Sequence, residues 1–152
     1  QREFAHRIRD LAAVAPVTMS WWSWIGAAIA LLAWLGEISA DRQLARWKRQ
    51  PANAGRSCRR GWWRYSRHPN YFFEFLFWSG IATLACSGGW TALVFIHPVG
   101  VYVLVRWLTG VPYSEERALA RRGEDYRRYQ QETPVFWPWW PASTAPSGKE
   151  TP

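Results

Sequence analysis

Cysteine, histidine and acidic residues are all scarce in this chain, and each scarcity removes a class of function. The two cysteines, Cys58 and Cys86, have no CxxC spacing, so neither a dithiol redox motif nor a disulfide framework is expected. The three histidines, His6, His68 and His97, lack metal-ligand spacing, which argues against a zinc-type site. No Gly-x-Gly-x-x-Gly run occurs, and a Rossmann domain is therefore not the route to any nucleotide. Neither a signal-peptide pattern nor an internal repeat is present. Asp and Glu number 11 against 19 Lys and Arg, for a formal net charge of +8. So basic a chain is compatible with nucleic acid, but a soluble nucleic-acid binder would not need uncharged runs of membrane length. No nucleic-acid partner is expected.

What the chain has in excess is aromatic rings, with 13 Trp, 6 Tyr and 7 Phe, and basic residues gathered into blocks. Nine Lys or Arg fall between Asp41 and Arg67, six between Arg106 and Arg128, and three before Asp10. Between the blocks lie apolar runs. Val17 to Gly36 is 20 residues without a charge, the length that crosses a hydrocarbon core of about 30 Å. Tyr71 to Ser87 carries only Glu74, and Trp90 to Leu108 contains His97-Pro98, where Pro98 predicts a kink and His97 a packing role. These observations predict an all-α, polytopic membrane protein with spans at about 17–36, 71–87 and 90–108. A cytoplasmic helix is expected over about 114–131, capped by Ser114. Residues 1–141 form one membrane-embedded domain in this reading, and 142–152 a disordered tail rich in Pro, Ser and Thr. The basic blocks and the C-terminus should be cytoplasmic, and the Ser87-Gly-Gly89 turn outside. The first residue is Gln, and the chain is read as the C-terminal part of a longer protein whose earlier helices are missing. Pro134-Val-Phe-Trp-Pro-Trp-Trp-Pro141 is a rigid aromatic segment suited to a bilayer interface.

One stretch concentrates the chemistry: Gly61-Trp-Trp-Arg-Tyr-Ser-Arg-His-Pro-Asn-Tyr-Phe-Phe-Glu74. Pro69 suits the first position of a helix, since it lacks the N–H that a first turn leaves unpaired. The free amides of that turn, beside Arg64 and Arg67, would attract an anion such as phosphate. Asn70 and Glu74 are four apart and share one face. Glu74 lies a turn into the apolar run, where an ionisable group is costly and usually functional. An interfacial belt would account for the arginines and aromatics, but not for that Asn/Glu pair. Upstream, Glu37, Asp41 and Lys48 share a helical face, as a charge-balanced helix end or as ligand contacts. Downstream, Glu115, Arg122, Tyr126 and Tyr129 form one stripe if the helix continues through Gly123.

The Gly61–Glu74 stretch closely resembles the signature of bacterial membrane proteins related to steroid 5-alpha-reductase. Asp41-Arg-Gln-Leu44, Thr109-Gly-Val-Pro112 with Glu116, and Gly123-Glu-Asp-Tyr-Arg-Arg-Tyr129 extend the resemblance in the expected order, over roughly Glu37 to Pro141. The Arg-His-Pro element also occurs in the more distant sterol reductases and in the isoprenylcysteine and phospholipid methyltransferases. The resemblance implies a cytosol-facing pocket among helices that holds NADPH. Asp41 and Lys48 would contact the cofactor from the first helix, Asn70 and Glu74 would hold its nicotinamide end, and Tyr71 beside them would also bind the cofactor. Arg67 and His68 would face phosphate or ribose, and Arg64 is a further cofactor-binding candidate. Glu115 or Glu116, with Arg122, Tyr126 and Tyr129, would close over the adenosine side. The implied reaction is hydride transfer from NADPH to a C=C bond of a lipid-soluble enone, with a protein acid polarising the carbonyl. In steroid reductases that acid lies on earlier helices, so no catalytic residue is assigned. The other readings are an S-adenosylmethionine-dependent methyltransferase of the isoprenylcysteine type and a non-catalytic membrane protein. Phe73-Glu74 leans toward the reductase, because the methyltransferases typically have a small residue and no acid there. The expected location is a bacterial inner membrane or the endoplasmic reticulum, among membrane lipids.

Overall fold

A computed structural model describes residues 20–87 and 92–142. Every regular element among them is helical. The expectations for 1–19, for the turn at 88–91 and for the tail from 143 lie outside the described residues.

Helix α1, Trp21–Lys48, is continuous for 28 residues. Its buried positions are all small: Ser23, Gly26, Ala30, Ala33, Gly36 and Ala40. They recur at helical spacing and make a flat seam, against which α3, Pro69–Ser87, packs. A Cβ on Gly80 of α3 would lie 2.6 Å from the Ala30 amide nitrogen and 2.8 Å from the Gly26 carbonyl oxygen. The two backbones thus touch directly, which only small residues permit. The bulky side chains of α1 point the other way. Trp24, Leu32 and Trp34 are exposed, the reverse of the pattern expected of a helix in water.

A polar loop, which includes a short turn at Pro51–Asn53, leads to α2, Trp62–Tyr65. Gly61 opens α2 at φ 56°, a region that favours glycine, and a Cβ there would collide with the Gln43 side chain. That close approach lets Gln43 accept the Trp62 amide at 2.9 Å, while the Trp63 indole donates to the Ala40 carbonyl at 2.8 Å. Helix α4, Ile96–Val103, passes through a π-helical turn, Leu104–Leu108, into α5, Gly110–Arg122. A second helix, α6, spans Glu124–Glu132.

Two stretches of helix are long and apolar enough to cross a membrane, Trp21–Lys48 and Leu93–Arg122. They contain residues 21–36 and 93–108 of the runs at 17–36 and 90–108. Among the described residues, α3, which contains the third expected span at 71–87, is not one of these two stretches. The expected helix at 114–131 is two helices. Gly123 breaks it at φ 50°, and the upstream part begins at Gly110, four residues before the cap expected at Ser114. The π turn explains the early start, because Thr109 donates its amide to the Leu104 carbonyl and so carries the helix past the glycine and proline.

A cationic cavity at the start of helix α3

Pro69 occupies the first position of α3, as its chemistry dictates, and the preceding residue closes the first turn: the Phe72 amide donates to the His68 carbonyl at 3.1 Å. The His68 amide in turn donates to Ser66 Oγ. His68 is buried, stacks on Tyr71, and sets Nε2 3.1 Å from Glu115 Oε1. Glu115 is the centre of this region. It accepts two hydrogen bonds from Arg67, at 2.8 and 3.1 Å, one from the Tyr126 hydroxyl at 3.0 Å and one from Gln130. The Arg67 and Glu115 side chains are only 11% and 14% exposed, so the pair is one of buried charges held by geometry. Arg67 also donates to the carbonyls of Gln130 and Thr133. Its guanidinium, just before α3, is thus a pin to α5 and to the C-terminal end of α6.

Around this pin lies a cavity of about 280 Å³. Lys48, Arg67, Arg117, Arg121 and Arg122 line it, with His68, Asn70, Tyr71, Tyr126 and Tyr129, and no carboxylate among the described residues does. Among the described residues no ion pair reaches Lys48, Arg117, Arg121 or Arg122. Arg122 lies over the Tyr126 ring at 4.9 Å, and Arg117 bonds the Tyr113 hydroxyl. Asn70 Oδ1 is buried without a hydrogen-bond partner, a condition that buried polar atoms rarely keep unless something is to bind them. Burial raises the phenol pKa of both Tyr126 and Tyr129. For Tyr126 the Glu115 charge adds to burial, and for Tyr129 the neighbouring Tyr126 and Cys58 do. Both phenols are therefore neutral donors. Burial likewise raises the Cys58 thiol, leaving it protonated and unreactive.

The loop before α2 is tied down separately. Arg59 bonds Asp125 at 2.9 Å and Glu132 at 3.0 Å, and the Ser57 amide donates to Asp125 at 2.6 Å. Burial would raise the Asp125 carboxyl, but the hydrogen bonds from Ser57 and Arg59 outweigh it and hold the group below its ordinary value.

Residues 8–133 match a family described as a protein of unknown function, DUF1295. The chain belongs to this family. No curated protein and no solved structure matches it.

Of the candidate residues in this DUF1295 protein, Lys48, Arg67, His68, Asn70, Tyr71, Arg122, Tyr126 and Tyr129 come together on the cavity wall, with Glu115 directly behind them. Asp41, Arg64 and Glu116 are exposed and lie outside the lining. Glu74 is a turn deeper on α3, also outside the lining and within electrostatic reach of Glu37 on α1. Glu115, Tyr126 and Tyr129 converge because Gly123 breaks the helix and turns α6 back on α5, not because one straight stripe carries them. The sequence reading did not assign Arg117 and Arg121 to the site. They fall at i+3 and i+7 from Ser114, which also lines the cavity, and that spacing was available as a signal. A second cavity, at the opposite end of α1, is lined by Trp22, Thr83, Cys86 and Phe95.

Proposed function

We propose that this DUF1295 protein is a membrane-embedded, NADPH-dependent reductase that acts on a C=C bond of a steroid-like or other lipid enone. The observation that carries the proposal is the cavity wall itself: four basic groups without an ion pair among the described residues, Arg67 held by Glu115 behind them, and an unpartnered buried amide oxygen at one side. A dinucleotide with a 2′-phosphate brings several negative charges, which such a wall can hold by charge-assisted hydrogen bonds. The nicotinamide carboxamide carries N–H donors, and Asn70 Oδ1 is a free acceptor for one of them. The residues present therefore fit the group. Lys48, Arg117, Arg121 and Arg122 would hold its phosphates, Asn70 its carboxamide and Tyr71 the face of a ring. NADPH, when bound, supplies the hydride. Glu115 takes no part in that chemistry; it fixes Arg67, His68 and Tyr126 where they shape the wall.

The same wall counts against S-adenosylmethionine. Its sulfonium is a cation and its amino-acid end carries no net charge, so a wall whose basic groups outnumber the one acid behind it repels one part and gains little from the other. The test is thermal stabilisation of the full-length, detergent-solubilised protein by NADPH, NADH and S-adenosylmethionine, since a ligand stabilises the state that it binds. NADPH should raise Tm most. Asn70→Leu should weaken NADPH binding about two- to tenfold, the worth of one hydrogen bond. Stabilisation by S-adenosylmethionine in place of NADPH would reverse the assignment.

A further inference from the structure

Residues 134–142 lie beyond the family match, and the proposed reaction gives them nothing to do. They form a strap across the start of α3. The Arg67 amide donates to the Pro134 carbonyl at 2.9 Å, Ser66 Oγ to the Phe136 carbonyl at 2.8 Å, and the Trp139 amide to the Tyr65 carbonyl at 3.0 Å. Phe136 is 1% exposed and plugs an aromatic cluster with Phe72, Phe75 and Tyr102. Its neighbours face outward instead. Trp137, Trp139 and Trp140 are 52%, 72% and 70% exposed, with Pro138 and Pro141 stiffening the backbone between and after them, so little conformational entropy is lost in presenting them.

Three tryptophans in four residues are too much apolar surface to leave open in water, and the surroundings say what covers them. Trp137 packs on Tyr102, whose ring also meets Trp107. Trp107 and Leu108 are exposed at the polar end of the apolar run in Leu93–Arg122. The outer face of the strap thus continues the outer face of a span-length helix at the point where charge begins. The exposed, basic Arg64 sits beside it, its carbonyl 3.4 Å from Thr133 Oγ1. Indole rings with a wet N–H, next to a guanidinium, suit the headgroup boundary of a bilayer containing anionic lipid.

We infer that the strap is a bilayer-interface anchor: Trp139 and Trp140 seat among headgroups and Phe136 fixes the strap to the helices, so the start of α3 and the cavity are held at the membrane surface. The inference rests on the membrane placement of the two long helices and is independent of which cofactor binds.

The experiment uses the full-length protein labelled with 5-fluorotryptophan, in vesicles of phosphatidylcholine and phosphatidylglycerol. Resonances are assigned with Trp139→Phe, Trp140→Phe and Trp24→Phe. A lipid carrying a nitroxide near its headgroup should broaden the Trp139 and Trp140 signals strongly, and a water-soluble gadolinium chelate should broaden them less. Broadening by the chelate alone overturns the anchor, and so does protection from both agents, which would indicate a protein partner or a second copy. Trp24, exposed on α1, reads the membrane placement through a nitroxide at the bilayer centre. If its signal persists, the placement fails and the anchor with it; if its signal is lost and those of Trp139 and Trp140 persist, the anchor alone fails.

Discussion

Glu115 shows how much one side chain decides here. It faces two basic groups, a phenol and an amide, and removing it would leave the Arg67 charge buried with half its partners gone. Glu115→Ala should therefore cost about 3–5 kcal/mol, the usual penalty for orphaning a buried ion. Glu115→Gln should cost less, because the amide oxygen still accepts. Chemical denaturation in detergent would show this, and equal stability of Glu115→Ala and wild type would refute the hub. Asp125 gives a dependence on pH. Its folded-state pKa lies below the ordinary 3.8, so the native state holds the carboxylate more tightly than the unfolded chain does. The contribution is complete above the unfolded value and fades as the pH falls through the folded one. Asp125→Asn should lower Tm at neutral pH, with the gap to wild type closing below about pH 4. The sequence named Glu115 together with Glu116, and the structure separates them: Glu115 points in at Arg67, whereas Glu116 is exposed. Adjacent helical positions differ by about 100°, and the direction of that turn is set by what α5 packs on.

At the scale of elements, the seam between α1 and α3 is the most sensitive contact. Gly80→Val would push its Cβ onto the α1 backbone at Ala30 and Gly26, for a loss of at least about 1–3 kcal/mol. Gly100→Ala in α4 is the control, since nothing lies within 4 Å of its added Cβ; it should be neutral or gain up to about 1 kcal/mol from helix propensity. Thermal denaturation of both variants tests the contrast. The seam was legible in the sequence only as a scatter of small residues inside an apolar run. Pro69 as a helix start was plainly legible, because proline acts through its own missing N–H and needs no neighbour. The helix beginning at Gly110 was not. A glycine followed two residues later by proline reads as a stop, and only the π turn before it lets the helix run on.

For the molecule as a whole, the basic cavity wall would make binding of the proposed dinucleotide depend on salt. Dinucleotide affinity should fall steeply as salt is raised toward about 1 M, where the screening length is about 3 Å. Arg117→Glu combined with Arg121→Glu should remove most of that salt dependence, as read by titration of the solubilised protein. An affinity insensitive to salt would contradict a phosphate-binding wall.

The sequence by itself settled the all-helical class, the apolar runs, the helix start at Pro69 and the stretch around which polar groups gather, because each follows from local period, composition or the covalent limits of one residue. The convergence on the cavity belonged to the tertiary structure. Lys48, Asn70, Arg117 and Tyr126 come from four different helices, and which of their faces meet depends on a left-handed glycine, a π turn and a buried ion pair that no local pattern encodes.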